Sequence, residues 1–263
     1  MTEQIVKEQV AIEIKNLSKH YQKENSQMTV LDNINLTINK GEFITIVGHS
    51  GCGKSTLLKM IAGMVNIDAG SIEVNQQPIE QSNEHCAMIF QESRLFPWLT
   101  VSENVGIGLK HLNKQEKYEK INTYLNLVGL KDFENAYPKA LSGGMAQRAA
   151  IARGLVMNTD ILLFDEPFGA LDAMTKIQMQ NEVLRIRQEE KKTMILVTHD
   201  IEEAVYLGDR VVVLSSRPGK IRDIVPIHID GKKERTHDQF ISYKNKIHDY
   251  FFEPHRDEIE FYI

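Results

Sequence analysis

Residues 43–62 constrain this chain more than any other stretch. Phe43-Ile44-Thr45-Ile46-Val47 is an unbroken apolar run, Gly48-His49-Ser50-Gly51-Cys52-Gly53-Lys54-Ser55-Thr56 is glycine-rich, and Leu57-Leu58-Lys59-Met60-Ile61-Ala62 has helical spacing. A strand feeding a glycine loop that opens a helix is the context required of the G-x-x-x-x-G-K-[ST] phosphate loop. Glycines let backbone N–H groups converge on phosphate oxygens, and the helix N-terminus adds partial positive charge. Lys54 would reach the β- and γ-phosphates, and the Ser55 hydroxyl would ligate Mg²⁺. At average glycine usage, a chance match in such a chain has a probability of roughly 1%. Phosphate binding is therefore preferred to a purely structural turn.

The rest of the chain supplies the partners of that unit. Ile12, Ile14 and Leu17, then Leu31, Ile34, Leu36 and Ile38, mark two strand stretches, and Asn39-Lys40-Gly41 turns into the apolar run. The helix after the loop spans 54–62, with Gly63 as its C-terminal cap. A strand from Ser71 to Val74 precedes a turn at Gln76-Gln77-Pro78, and another from Cys86 to Phe90 ends at Gln91. Helical patterns dominate 100–157, at 115–128 (Tyr118, Ile121, Leu125, Val128) and at the alanine-rich 142–157. Strand patterns return at 161–165, 193–198 and 210–215, with a helical stretch at 172–190. Such alternation predicts a mostly parallel sheet with helices on its faces. In the tail, 231–263, Tyr243, Ile247, Tyr250 and Phe251 follow amphipathic helix spacing and predict a helix packed on the protein's own surface.

Bulk properties exclude several classes. A length of 263 residues allows one large domain or two small ones. A net charge of −5 argues against binding nucleic acid through bulk positive charge. The two cysteines, Cys52 and Cys86, have neither metal-ligand spacing nor a disulfide framework, which suits a reducing cytoplasm. Met1 to Val10 lacks the apolar core of a signal peptide. Runs such as Val211-Val212-Val213-Leu214 fall far short of the ~20 apolar residues that cross a bilayer. Any membrane work would need spanning helices from another chain.

Three further places carry chemistry. Ile161-Leu162-Leu163-Phe164 ends in Asp165-Glu166, and carboxylates at the C-terminal end of a buried parallel strand face the ligand crevice. Asp165 would hold the Mg²⁺ shell, and Glu166 would orient or deprotonate an attacking water. The alternative is a pair of helix-capping acids before Pro167. Leu141-Ser142-Gly143-Gly144-Met145 opens a helix containing Arg148 and Arg153, with Ser142 as N-cap and accessible N–H groups for an anion. His199 follows the strand Met194-Ile195-Leu196-Val197-Thr198 and would either reach a γ-phosphate or serve as polar trim.

Over residues 10–225 these elements, in this order, resemble the ATP-binding cassette (ABC) ATPase family. The resemblance implies an α/β P-loop NTPase core with an N-terminal antiparallel β subdomain and an inserted α-helical subdomain. The cassette would span 10–230, the helical insert about 96–157. It implies that Gln91 is the Q-loop glutamine beside Mg²⁺ and the γ-phosphate, and that Leu141 to Met145 is the signature motif. Asp165 would be the Mg²⁺ aspartate, Glu166 the catalytic base, Ala170-Leu171-Asp172 the D-loop and His199 the switch histidine. Tyr21 sits where the family stacks an aromatic on adenine. Met145 stands where glutamine is common, and Gly169 where serine is common. One copy of each motif per chain implies a head-to-tail dimer of two copies around two ATP molecules. Ser142 of one would then meet the γ-phosphate held by the other.

Gln91-Glu92-Ser93-Arg94-Leu95-Phe96-Pro97-Trp98-Leu99-Thr100-Val101 narrows the subfamily. Four large apolar residues in five positions need a cover, either the helical insert itself or a short helix from a membrane partner. Pro97 to Val101, Pro167 to Asp172 and Leu214 to Gly219 resemble cassettes of bacterial importers for nitrate, sulfonates and taurine. That implies transmembrane permease subunits as direct partners and an extracytoplasmic solute-binding protein as an indirect one. The chain would then sit peripherally on the cytoplasmic face of the membrane, with no nucleic acid bound. The competing reading is a soluble cassette ATPase acting on nucleic acid or ribosomes.

Overall fold

The computed structural model describes residues 9–23, 26–79, 84–157, 159–231 and 233–252. In chain order the first half contains β1 (Val10–Lys23), β2 (Ser26–Asn39), β3 (Phe43–Val47), α1 (Lys54–Ile61), β4 (Ala69–Val74), β5 (Gln77–Pro78) and β6 (Cys86–Ile89). There follow α2 (Val101–Val105), α3 (Lys114–Leu127), α4 (Gly143–Leu155), β7 (Ile161–Asp165) and α5 (Ala173–Glu190). The last elements are β8 (Thr193–Thr198), α6 (Ile201–Leu207), β9 (Arg210–Leu214), β10 (Ile221–Pro226) and α7 (Asp238–Phe252).

Two sheets form. The larger has strand order β10-β9-β3-β8-β7-β6 and is parallel except for the antiparallel edge strand β10. Its inner strands β3, β7 and β8 are buried at every position and mostly apolar, because both faces are covered. Ile161, Leu163, Ile195 and Val197 face a cluster shared with α1 and the smaller sheet, including Leu57, Met60, Leu31 and Ile38. The alternate residues Leu162, Phe164, Met194 and Leu196 face α3, α4 and α5 through Leu125, Ile151 and Val183. Period-two alternation with apolar residues on both sides places this sheet inside the molecule. The smaller sheet, β2-β1-β4-β5, is antiparallel.

The parallel register brings the strand C-termini to one edge: Val47 pairs with Thr198, Val197 with Asp165, and Phe164 with Ile89. The loops of chemical interest leave from that edge, as the crevice rule for α/β sheets requires. A cavity of about 440 Å³, lined in part by Lys40, Asn75, Asp160 and Thr193, lies instead at the N-terminal ends of β7 and β8.

Local chemistry sets the element ends. Gly63, at φ 69°, closes α1: Met64 N–H donates to Lys59 O at 2.8 Å and Gly63 N–H to Met60 O at 3.0 Å, a Schellman pair. The hairpin turn expected at Gln76-Gln77-Pro78 falls instead on Asn75 and Gln76, with φ 49° and 65°. Two successive left-handed residues make a tight two-residue turn, so Gln77 and Pro78 are free to pair with Val74 and Glu73. Gly154 lets α4 lie on β6, since a Cβ there would stand 2.3 Å from Ile89 Cγ1.

The tail pattern does form a helix. In α7, Phe240 and Ile247 are fully buried against Ala204, Val205, Val211 and Val225, with Tyr243, Tyr250 and Phe251 packed alongside. The strip read from sequence omitted Phe240, one turn earlier.

Candidate active site

The phosphate loop leaves β3 and enters α1 with Gly51 at φ 78° and Gly53 at φ 104°, left-handed conformations open to glycine without strain. Gly53 caps α1 without a side-chain hydrogen bond, and the first turn has no acidic residue. The free N–H groups of that turn suit an anion. Lys54 is buried, and its Nζ donates to Gly48 O at 2.7 Å and His49 O at 3.2 Å. The ammonium is thus held inside the loop by its own carbonyls. Burial pushes the Cys52 thiol up, with Lys54 and Arg217 opposing, so Cys52 stays a neutral, packed side chain.

Ser55 Oγ donates to Asp165 Oδ1 at 2.6 Å, joining the start of α1 to the end of β7. Asp165 is buried, and the pair offers only oxygen donors at the end of β7. Hard divalent cations choose such donors, and Mg²⁺ keeps water and phosphate oxygens in its remaining positions. The donor set fits the metal that the loop implies.

Glu166 follows at φ 47°, a strained conformation for a residue with a Cβ. Its N–H donates to Val197 O at 3.0 Å, which locks the turn. Its Oε2 lies 2.9 Å from Nδ1 of the largely exposed His199, just past β8. A carboxylate and an imidazole therefore meet at the mouth of the crevice.

The turn carrying His199 is tied to its surroundings through the next residue. Asp200 caps α6 by accepting from Glu203 N–H at 3.1 Å, and Lys176 Nζ of α5 donates to Asp200 Oδ2 at 2.7 Å. Burial would raise the Asp200 carboxyl, but Lys176 and the helix amides outweigh it and hold it below the ordinary range. Asp172 caps α5 by accepting from Thr175 N–H at 3.0 Å. Residues 172 and 199 are thereby joined through one helix and one ion pair.

The remaining site residues stand apart in the single chain. Ser142 caps α4 by accepting from Met145 N–H at 3.2 Å, and Gly143 is exposed. A Cβ at Gly144 would lie 3.6 Å from Ala170 O, which places the 142–145 turn beside 170–172 of the same chain. Among the described residues, no hydrogen bond joins 142–144 to 48–56. Gln91 is exposed two residues past β6, on the same edge as Asp165 and His199. Tyr21 is exposed on β1 opposite Met28, and Lys19 Nζ lies 5.4 Å from its ring centroid. It belongs to no hydrophobic core cluster of the described residues.

The apolar segment after Gln91 divides. Leu95 packs against the helical cluster, whereas Phe96 and Trp98 (69% exposed) face outward as a pair with centroids 5.4 Å apart. Buried Asn104 of α2 organises this loop: it accepts from Phe96 N–H at 2.7 Å and donates to the carbonyls of Phe96, Leu99 and Thr100. From the other side, α4 grips the segment's start. Gln147 Nε2 donates to Phe90 O at 2.9 Å, and Arg153 donates to Arg94 O at 2.7 Å and Ser93 O at 2.9 Å. Sequence reasoning missed these supports, since a buried Asn or Gln bonded to distant carbonyls leaves no periodic signal.

A family model described as ABC transporter matches residues 31–169. The aliphatic sulfonates import ATP-binding protein SsuB of Bacillus subtilis is 46% identical over 238 residues, 90% of this chain and 93% of that one. An ABC transporter ATP-binding protein of Methanocaldococcus jannaschii is 45% identical over 240 residues, 90% of each chain. Among solved structures, an ATP-binding cassette in a dimeric post-hydrolysis state with ADP and Pi superposes at TM-score 0.76 and 30% identity, over 83% of this chain and 99% of that one. A cassette of an ABC transporter complex from Clostridium perfringens superposes at TM-score 0.72 and 27% identity, over 83% and 89% of the two chains.

Proposed function

This chain belongs to the ABC transporter family as an ATP-binding, ATP-hydrolysing subunit of an importer, and we propose from that premise how its residues work and what it serves. The observation that carries the mechanism is the convergence of loop 48–56, the Ser55–Asp165 pair and the Glu166–His199 pair on one sheet edge. The loop amides and Lys54 hold the β- and γ-phosphates of ATP, and exposed Tyr21 stacks on adenine. Ser55, Asp165 and Gln91 hold Mg²⁺, which when bound neutralises phosphate charge. Glu166 orients and deprotonates the attacking water. His199, tied to Glu166 Oε2, keeps that carboxylate aimed and faces the γ-phosphate.

Ser142, Gly143 and Gly144 stand outside this assembly, so a second copy of the chain completes it. The Ser142 hydroxyl and the N-terminus of α4 from the partner close over the γ-phosphate, and Asp172 lies at the seam between copies. Stabilisation supplied only on closure acts on the transition state rather than on resting ATP. The dimeric form of the structural relatives supports this reading.

Exposed Phe96 and Trp98 receive a short helix from a transmembrane permease, which in turn works with an extracytoplasmic solute-binding protein. The described residues contain no helix long and apolar enough to cross a membrane. As the partner of such a permease, the cassette sits peripherally at the cytoplasmic face. The solute is an aliphatic sulfonate, supported by relatives at 43–46% identity named for that cargo. No observation favours the competing reading, an ATPase acting on nucleic acid or ribosomes. The test is growth on an alkanesulfonate as sole sulfur source after deletion of this chain, complemented by wild type or by Trp98→Ser. Wild type should restore growth. Trp98→Ser should fail to do so while binding ATP normally when isolated. Unimpaired growth of the deletion strain would refute the sulfonate assignment, and full complementation by Trp98→Ser would refute the docking role.

A further inference from the structure

Two residues from the far end of the chain, in none of the site motifs, hold the outer side of the phosphate loop. Phe251, in the last turn of α7, forms an edge-to-face pair with His49, centroids 5.3 Å apart and planes at 89°. Arg217, in the turn between β9 and β10, donates from Nη2 and Nε to Gly51 O at 2.9 and 3.2 Å. The carbon skeleton just before the loop is packed from the same side. Val47 belongs to the apolar cluster that contains Phe240 and Ile247 of α7.

Both contacts bear on Lys54. Fixing the Gly51 carbonyl fixes its peptide plane, whose Cys52 N–H donates to His49 O at 3.2 Å. His49 O also receives Lys54 Nζ at 3.2 Å. His49 is therefore pinned through its ring by Phe251 and through its carbonyl by the peptide that Arg217 holds. α7 is itself well anchored: Arg222 Nη1 donates to Tyr250 O at 2.7 Å, and the Tyr250 hydroxyl donates to the Asp223 carboxylate.

We propose that Phe251 and Arg217 are positioning residues of the phosphate loop, through which the C-terminal helix sets nucleotide affinity. The proposal rests on the reading of loop 48–56 as the ATP phosphate site. A glycine loop left free would lose conformational entropy on closing around phosphate, and restraints already present in the free protein lower that loss. Coupling of this kind is reciprocal, so bound nucleotide also tightens the docking of α7's last turn.

The experiment measures ATP Kd by equilibrium titration, and KM and kcat for hydrolysis, on full-length wild type, Phe251→Ala, His49→Ala and the double variant. An edge-to-face pair is worth about two- to tenfold in an equilibrium constant, and Phe251→Ala should raise Kd and KM by that factor. Its kcat at saturating ATP should stay within about twofold, because the Glu166–His199 pair is untouched. The double variant should bind no more weakly than the worse single variant. Phe252→Ala, at the exposed neighbour that stacks on His248, should match wild type. Arg217→Ala should raise Kd, and Arg217→Lys should recover part of the loss. Phe251→Leu keeps apolar bulk in α7 and guards against a folding defect. An unchanged Kd in that variant, or strict additivity of Phe251→Ala with His49→Ala, would overturn the proposal. Failure of wild type to bind ATP at all would instead refute the reading of the loop.

Discussion

Glu166 offers the sharpest test because two physical effects meet in one residue and can be separated. Its carboxylate is the proposed base, and its backbone is strained at φ 47°. Glu166→Gln keeps the size and the hydrogen-bonding reach toward His199 but removes the base. General-base catalysis contributes typically about 10²- to 10⁴-fold, so kcat should fall by that factor, equivalent to roughly 3–5 kcal/mol at the barrier. ATP affinity should change little, since Lys54, Ser55 and the loop amides are intact. With binding preserved and turnover lost, ATP-bound dimer should accumulate. Glu166→Gly removes the same base and also the strain. A left-handed non-glycine residue costs roughly 1–2 kcal/mol, and about half of that is offset by the extra freedom of glycine in the unfolded chain. The net gain of about 0.5–1 kcal/mol corresponds to a Tm rise of roughly 1–4 °C for a domain of this size.

The assay is phosphate release under saturating ATP, with size-exclusion chromatography for the dimer and differential scanning calorimetry for Tm. Both variants should be equally inactive, and only Glu166→Gly should be more heat-stable. Normal hydrolysis by Glu166→Gln would remove Glu166 from the role of base. A Tm for Glu166→Gly at or below that of Glu166→Gln would show that the φ of Glu166 stores no recoverable strain. Lys54→Ala is the contrasting perturbation. It deletes a phosphate contact and removes the ammonium that donates to the carbonyls of Gly48 and His49, so it should weaken nucleotide binding itself.

Other expectations follow from particular contacts. Chains with Lys54→Ala and chains with Ser142→Ala should each be inactive alone and regain one working site when mixed. Full activity in a strictly monomeric preparation would refute the shared site. Gly154→Ala should lower Tm by several degrees in calorimetry, because its Cβ would meet Ile89 Cγ1 at 2.3 Å in a close-packed helix–strand contact. Burial pushes the Lys233 ammonium down to about 8 from the ordinary 10.5. Between those values the unfolded chain holds a proton that the folded chain releases, so this group adds stability as pH rises through the window. Lys233→Met should flatten the Tm-versus-pH slope there, and an unchanged slope would contradict the assignment.

What the sequence revealed, and what it did not, follows the range of the interactions. Strands β3, β7 and β8 were readable because burial on both faces forces apolar runs, and the phosphate loop because backbone geometry demands glycine at fixed spacing. Asp165 and Glu166 were legible as a charge break at the end of such a run. The turn at Asn75-Gln76 was misplaced because glutamine carries no left-handed signal and Pro78 suggested a turn of its own. Helix α6 went unread, being seven residues long and marked chiefly by its cap, Asp200. The contacts of Arg217 with Gly51 join positions 166 residues apart, and no local pattern encodes such a meeting. The segment Leu95–Leu99 signalled that something must cover it. Only packing shows that Leu95 turns inward while Phe96 and Trp98 turn out.

That outward pair has a mechanical setting that bears on the proposed permease contact. The segment from Phe90 to Thr100 is fastened at its start to α4 by Gln147 and Arg153, and at its end to α2 by the buried Asn104. Helix α4 is capped by Ser142, so the proposed permease-docking pair, Gln91 and the signature turn are carried by one packed unit. Lys54, Ser55, Asp165 and His199 belong to the strand edge of the larger sheet. Phe90 continues directly from β6, and β6 pairs with β7, so the two units join close to Asp165. A push on Phe96 and Trp98 would therefore move Gln91 and Ser142 together relative to the phosphate loop. Close-packed interfaces shift between discrete arrangements rather than deforming gradually. ATP held between two copies would favour the arrangement in which both Gln91 and the partner's signature turn reach the γ-phosphate, and hydrolysis would remove that preference. On this arrangement the residues that would transmit force are Gln147, Arg153 and Asn104, none of which belongs to the proposed nucleotide site.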